Sequence, residues 1–105
     1  MKRKKFTTAL TPEDLLDVTL VMEKQEAIKF SLNYRALIRG RWRGVYRVDN
    51  FHGFLHEQRF WRSPKPIRLE KWDLMPLMDL VDKYFDDITD NFQKYRSYYE
   101  DSLAK

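Results

Sequence analysis

Apolar and polar residues alternate most clearly between positions 28 and 48. Ile28, Phe30, Leu32, Tyr34, Ala36 and Ile38 interleave with Lys29, Ser31, Asn33, Arg35, Leu37 and Arg39, the two-residue period of a strand with one face on a core. After Gly40, the apolar set Trp42, Tyr46 and Val48 alternates with Arg41, Arg43 and Arg47. Phase sets the expected turn: a three-residue loop Arg39-Gly40-Arg41 pairs Ile38 with Trp42 and Tyr34 with Tyr46, with Gly40 at φ > 0. The outer face of this hairpin then gathers Asn33, Arg35, Arg43 and Arg47. A third strand is expected from about Gly53 to Arg62, ending at Ser63-Pro64-Lys65-Pro66, and Ile67-Arg68-Leu69 adds a short edge strand. The facing of the third strand is open. Phe54, His56, Gln58 and Phe60 form one set and Leu55, Glu57, Arg59 and Trp61 the other.

Toward the C-terminus the period changes. Leu77, Val81, Tyr84, Ile88, Phe92, Tyr95 and Tyr99 recur at alternating spacings of four and three, the apolar stripe of a long helix. Asp73 is its expected cap and Pro76 its third residue, where no hydrogen bond is lost. Such a helix, about 40 Å long at ~1.5 Å per residue, exceeds a small sheet. Residues 93–105 are therefore expected to overhang and to present Tyr95, Tyr98 and Tyr99 to a second copy, giving a homodimer. Near the N-terminus, Thr11-Pro12-Glu13-Asp14 reads as a helix start, followed by a strand around Val18-Met22. Residues 1–10 read as a flexible basic start, with Lys5 to Leu10 laid on a sheet edge. The expected fold is α+β: one domain over 1–105, an antiparallel meander of three to four strands with a long C-terminal helix packed on one face.

Composition narrows the chemistry. The 105 residues hold no cysteine, which removes disulfides and thiolate metal sites and agrees with a cytoplasmic setting. No apolar run approaches the roughly 18 residues of a membrane span, so no membrane partner is expected. There is no glycine-rich phosphate loop, and neither Ser31 nor Ser63 sits in a nucleophile elbow. Charge is uneven. Lys29, Arg35, Arg39, Arg41, Arg43, Arg47, Arg59 and Arg62 face only Glu26, Asp49 and Glu57 across the central stretch, and Lys2, Arg3, Lys4 and Lys5 precede it. Beyond Leu80 acids predominate. A basic sheet beside an acidic helix suits a polyanion on one side, and arginine can grip phosphate with two parallel hydrogen bonds.

Both histidines lie in Arg47-Val48-Asp49-Asn50-Phe51-His52-Gly53-Phe54-Leu55-His56. This stretch resembles the R-x-D-x-x-H-G-x-x-H signature of a family of small prokaryotic proteins and, more distantly, the TumE-type toxins of toxin–antitoxin pairs, which place an Arg-Tyr-Asp-Asn turn before histidines. The resemblance covers residues 28–99. It implies RNA binding, a cognate antitoxin as partner, and metal-independent cleavage at His52, His56, Arg47 and Asp49. The residues allow that chemistry: two imidazoles can act as base and acid on a phosphodiester, Arg47 can stabilise phosphate charge, and Asp49 can orient one ring. Arg35, Arg39, Arg41, Arg43, Arg59 and Arg62 are the expected nucleic-acid contacts, with Trp42, Trp61 and Trp72 available to stack on bases. A metal on Asp49, His52 and His56 would need a further ligand, and neither metal nor cofactor is expected. The alternative is a non-catalytic, dimeric interaction module in which Asp49-Asn50 makes an Asx turn and Gly53 takes φ > 0. The two readings part on a salt-sensitive RNA affinity that falls when Arg43 and Arg47 are removed, and the two-histidine mechanism further requires His56 on the sheet face of Arg47.

Overall fold

The computed structural model describes residues 1–63, 65–69 and 75–104. Six strands, β1 (Lys2–Thr11), β2 (Asp14–Glu23), β3 (Glu26–Ile38), β4 (Arg41–Asp49), β5 (His56–Arg59) and β6 (Ile67–Arg68), form one antiparallel sheet in sequence order. Helix α1 (Leu77–Leu103) follows. The α+β class is as the sequence predicts, but the meander has six strands rather than three or four.

The difference lies at the N-terminus. Lys5 to Leu10 lie on a sheet edge as expected, but residues 1–10 are no flexible start, because the whole of Lys2–Thr11 pairs along β2 as an edge strand. Nor does Thr11 open a helix. Its hydroxyl accepts a hydrogen bond from the Glu13 N–H (3.0 Å) and donates one to the Asp14 carboxylate (2.5 Å), closing the β1–β2 turn. Threonine, a following proline and nearby acids suit a helix cap and a tight turn alike. The Leu37 N–H donates to the Glu13 carbonyl (2.8 Å) and ties this turn to β3.

The β3–β4 hairpin corrects the expected loop. Ile38 faces Arg41 and Leu37 faces Trp42, so the loop is the two residues Arg39 and Gly40, at φ 53° and 75°, the pattern of a type I′ turn. Phase is restored inside the strand. Arg35 pairs with Gly44 while Tyr34 pairs with Tyr46, leaving Val45 as the extra residue of a bulge. The predicted Tyr34–Tyr46 pairing therefore holds, but the bulge turns Arg43 away from the face that carries Asn33, Arg35 and Arg47.

One face of the sheet and α1 enclose the core, which contains Leu16, Val18, Phe30, Leu32, Tyr34, Tyr46, Val48, Tyr84 and Ile88. Tyr34 meets Phe92 edge-on, with ring centroids 6.0 Å apart. The Asp73 cap lies outside the described residues, and Pro76 is the N-cap itself rather than the third helical residue. The last turns of α1 do not overhang. Tyr95 stacks on Tyr46 at 5.2 Å and on Trp61 at 5.4 Å, and Tyr99 and Leu103 pack against the core. The helix advances with β3, from Phe92 beside Tyr34 to Arg96 beside Leu37, so its length is matched by the strand. Thirteen residues of β3 extend about 43 Å at ~3.3 Å each. The aromatic stripe expected to await a second copy is largely covered by the chain's own sheet. Ile88→Ala should cost about 2–4 kcal/mol in urea unfolding, since Ile88 is fully enclosed; an unchanged midpoint would place the core elsewhere.

Candidate nucleic-acid interface

The face of the sheet away from α1 is polar across its width. Successive registers align Lys5, Thr19, Ser31, Asp49, His56 and Arg68 in one transverse row through all six strands. The adjacent row is Thr7, Asp17, Asn33, Arg47 and Gln58. Residues directly opposite on antiparallel strands share a face, so both rows lie on the open side. Leu55 and Trp61 turn toward the core, and His56 thus shares the face of Arg47.

Asp49 is the fixed centre. It ends β4, is 1% exposed, and divides its carboxylate between neighbours. Oδ2 accepts from Arg47 Nε (2.8 Å); Oδ1 accepts from the Phe51 N–H (3.0 Å) in an Asx turn and lies 3.3 Å from His56 Nε2. Asn50 pins the loop root to β3, because its Oδ1 accepts from the Phe30 N–H (2.8 Å) while its own N–H donates to the Phe30 carbonyl (3.2 Å). Gly53, at φ 88°, donates its N–H to the Asn50 carbonyl and closes the turn.

This loop folds over His56. The His52 and Phe54 rings lie 5.4 and 5.5 Å from the His56 ring, whose side chain is only 8% exposed. His56 Nδ1 stands 3.4 Å from the Phe54 carbonyl oxygen, so both ring nitrogens face acceptors of the protein. A neutral imidazole can donate to only one of them. His52, by contrast, remains exposed at the rim. Among the described residues, no three His, Asp or Glu side chains converge as a metal-binding group.

A shallow cleft of about 280 Å³ opens beside Arg47, lined by Arg3, Lys5, Asp17, Thr19, Ser31, Asn33 and Phe51 as well. Arg47 is 43% exposed there despite its bond to Asp49. Burial pushes the Asp17 carboxyl up, but hydrogen bonds from Arg35, Thr7 and Asn33 outweigh it and hold the group below its ordinary value.

The six further arginines do not gather here. Arg35 lies on the open face but is committed to Asp17 (2.8 Å) and sits 5.3 Å over the Trp42 ring. Arg39 and Arg41 are exposed at the hairpin tip. Arg43, displaced by the bulge, donates to the Ile38 carbonyl (3.1 Å). Arg59 is on the helix side, bound to Glu57 (3.0 Å) and set over Tyr46 and Trp61. Arg62 lines a separate hollow with Trp61, Tyr98 and Asp101. Trp72 lies outside the described residues. Sequence reasoning missed Arg3, Lys5 and Arg68 as cations of this face. The i, i+2 spacing of Arg3 and Lys5 is the signal that reading the segment as a strand would have used.

The chain belongs to the family described as a domain of unknown function, DUF7718, whose model matches residues 1–105. No curated protein matches the chain. No solved structure matches it either.

Proposed function

We propose that the open face of the sheet binds RNA, with Lys5, Arg47 and Arg68 taking phosphates and His52 at the rim. The observation that carries this reading is the cleft in which Arg3, Lys5 and Arg47 outnumber Asp17, at the Lys5 end of a polar row whose centre, Asp49 and His56, is buried beneath the loop. Hydroxyl and amide groups of Thr19, Ser31 and Asn33 suit ribose 2′-hydroxyls, and exposed Phe54 and Trp42 offer stacking surfaces at the margin. The resemblance to TumE-type toxins points the same way, and a cognate antitoxin as partner rests on that resemblance alone.

Cleavage finds narrower support. His52 is free to accept a 2′-hydroxyl proton, but His56, with both ring nitrogens turned to Asp49 and Phe54, is poorly placed to protonate a leaving oxygen. His56 and Asp49 instead act as positioning residues that hold Arg47 at the cleft.

Anisotropy of a labelled single-stranded RNA tests the reading. Lys5→Ala with Arg47→Ala should weaken binding about tenfold and reduce the slope of log affinity against log salt by about 1.4, two phosphates at ~0.7 each. Arg62→Ala should alter neither. His56→Ala should lower stability by roughly 1–3 kcal/mol through the partner it takes from buried Asp49. Absence of RNA binding at low salt would leave the non-catalytic interaction module as the better account.

A further inference from the structure

The sheet has two unequal edges. β6 is two residues long, whereas β1 offers ten, about 33 Å at ~3.3 Å each. β1 contains no proline, its first residues are exposed, and its register with β2 is regular until the bulge at Ala9/Thr11. Among the described residues its outer backbone N–H and carbonyl groups therefore form an unpaired ladder, the feature that strand addition uses.

The side chains on this edge state what would fit it. Lys2, Lys4 and Phe6 stand opposite Met22, Leu20 and Val18, which places them on the helix side of the sheet and away from the open-face cleft. Phe6 is 49% exposed there. Arg3 and Lys5 point to the other side. Arg35, Arg47, Arg59 and Arg96 each have an acid of this chain, but Lys2, Arg3, Lys4 and Lys5 make no ion pair among the described residues. RNA lying on the open face would use Arg3 and Lys5 and leave Lys2, Lys4 and Phe6 idle. A strand along the edge would meet all five.

We propose that β1 docks an extended acidic segment of a partner protein as a seventh strand, its carboxylates opposite Lys2 and Lys4 and an apolar residue against Phe6. Lysines on an edge also guard against edge-to-edge aggregation, and the charge that repels a like strand attracts an acidic one. This inference does not depend on RNA binding.

The test uses the full-length protein and a capped, labelled ten-residue peptide with glutamates in one half and valine and phenylalanine in the other. Anisotropy at physiological salt should show saturable binding, with amide-exchange protection gained along β1. N-methylation of alternate peptide nitrogens should abolish binding, because it removes donors that the β1 carbonyls need. Lys2→Gln with Lys4→Gln should weaken it about tenfold, as two screened charge pairs predict, and Arg47→Ala should not. Equal binding of the N-methylated peptide would reduce the edge to a charge patch and overturn the proposal. Sedimentation of the protein alone as a β1-dependent dimer would overturn it in favour of a second copy, and displacement of the peptide by RNA without loss on N-methylation would do so in favour of RNA.

Discussion

Above pH 10 the protein should lose stability steeply, by at most about 5 kcal/mol per pH unit, and unfold cooperatively within one or two units. Four tyrosines between sheet and helix cause this. Burial raises Tyr34, whose hydroxyl also donates to Asp14 at 2.6 Å; burial raises Tyr46, which donates to Glu57 at 2.6 Å. Burial likewise pushes Tyr84 up to about 12, aided by Glu57, and raises Tyr95, which donates to Asp87. In each case the folded value exceeds the ordinary 10.0, so between the two the folded chain keeps a proton that the unfolded chain has shed. Stability is thus whole below pH 10 and falls as pH rises through the window, to about 12 for Tyr84 and further for the others. Phenolate absorbance should rise together with the loss of circular dichroism. A gradual titration of every tyrosine near pH 10, with the dichroism intact, would show that these hydroxyls are not sealed as described.

Arg96→Ala should destabilise the protein by about 3–5 kcal/mol, far beyond an ordinary surface arginine. Arg96 reaches from α1 to the β1–β2 turn. One guanidinium nitrogen lies 3.2 and 3.3 Å from the Asp14 oxygens, another donates to the Leu37 carbonyl at 2.8 Å, and Nε donates to Glu100 at 2.8 Å. Asp14 is 4% exposed, and without Arg96 its charge would stay buried with, among the described residues, the hydroxyl partners Tyr34 and Thr11. Removing one member of such a pair strands the other. Asp14→Asn added to Arg96→Ala should therefore recover part of the loss in urea unfolding. A cost below about 1 kcal/mol would mean that the end of α1 is not anchored to the turn.

Much of this architecture is present in local pattern. The alternation through Phe30, Leu32 and Tyr34 identifies β3 and its core face, and the spacing of Tyr84, Ile88 and Tyr95 identifies the buried side of α1. These read correctly because strand and helix periods are properties of a few adjacent residues. The Asp49-Asn50 turn and the positive φ of Gly40 and Gly53 are equally local.

Tertiary structure decided what depended on a distant partner. Thr11-Pro12-Glu13-Asp14 became a turn because Lys2–Thr11 found β2 to pair with, a choice that cap and turn chemistry left open. The Tyr34–Tyr46 pairing inferred for the β3–β4 hairpin holds but the Ile38–Trp42 pairing does not, because the extra residue enters at Val45 rather than in the loop; beside it Phe60 packs 3.6 Å from the position a Gly44 Cβ would occupy. His56 faces the side of Arg47 because β5 registers Asp49 against it, and four residues with apolar groups at both ends could not choose a side alone. The transverse row from Lys5 to Arg68 exists only once five registers are in place. Period is written along the chain, whereas register is set by hydrogen bonds between segments far apart in it.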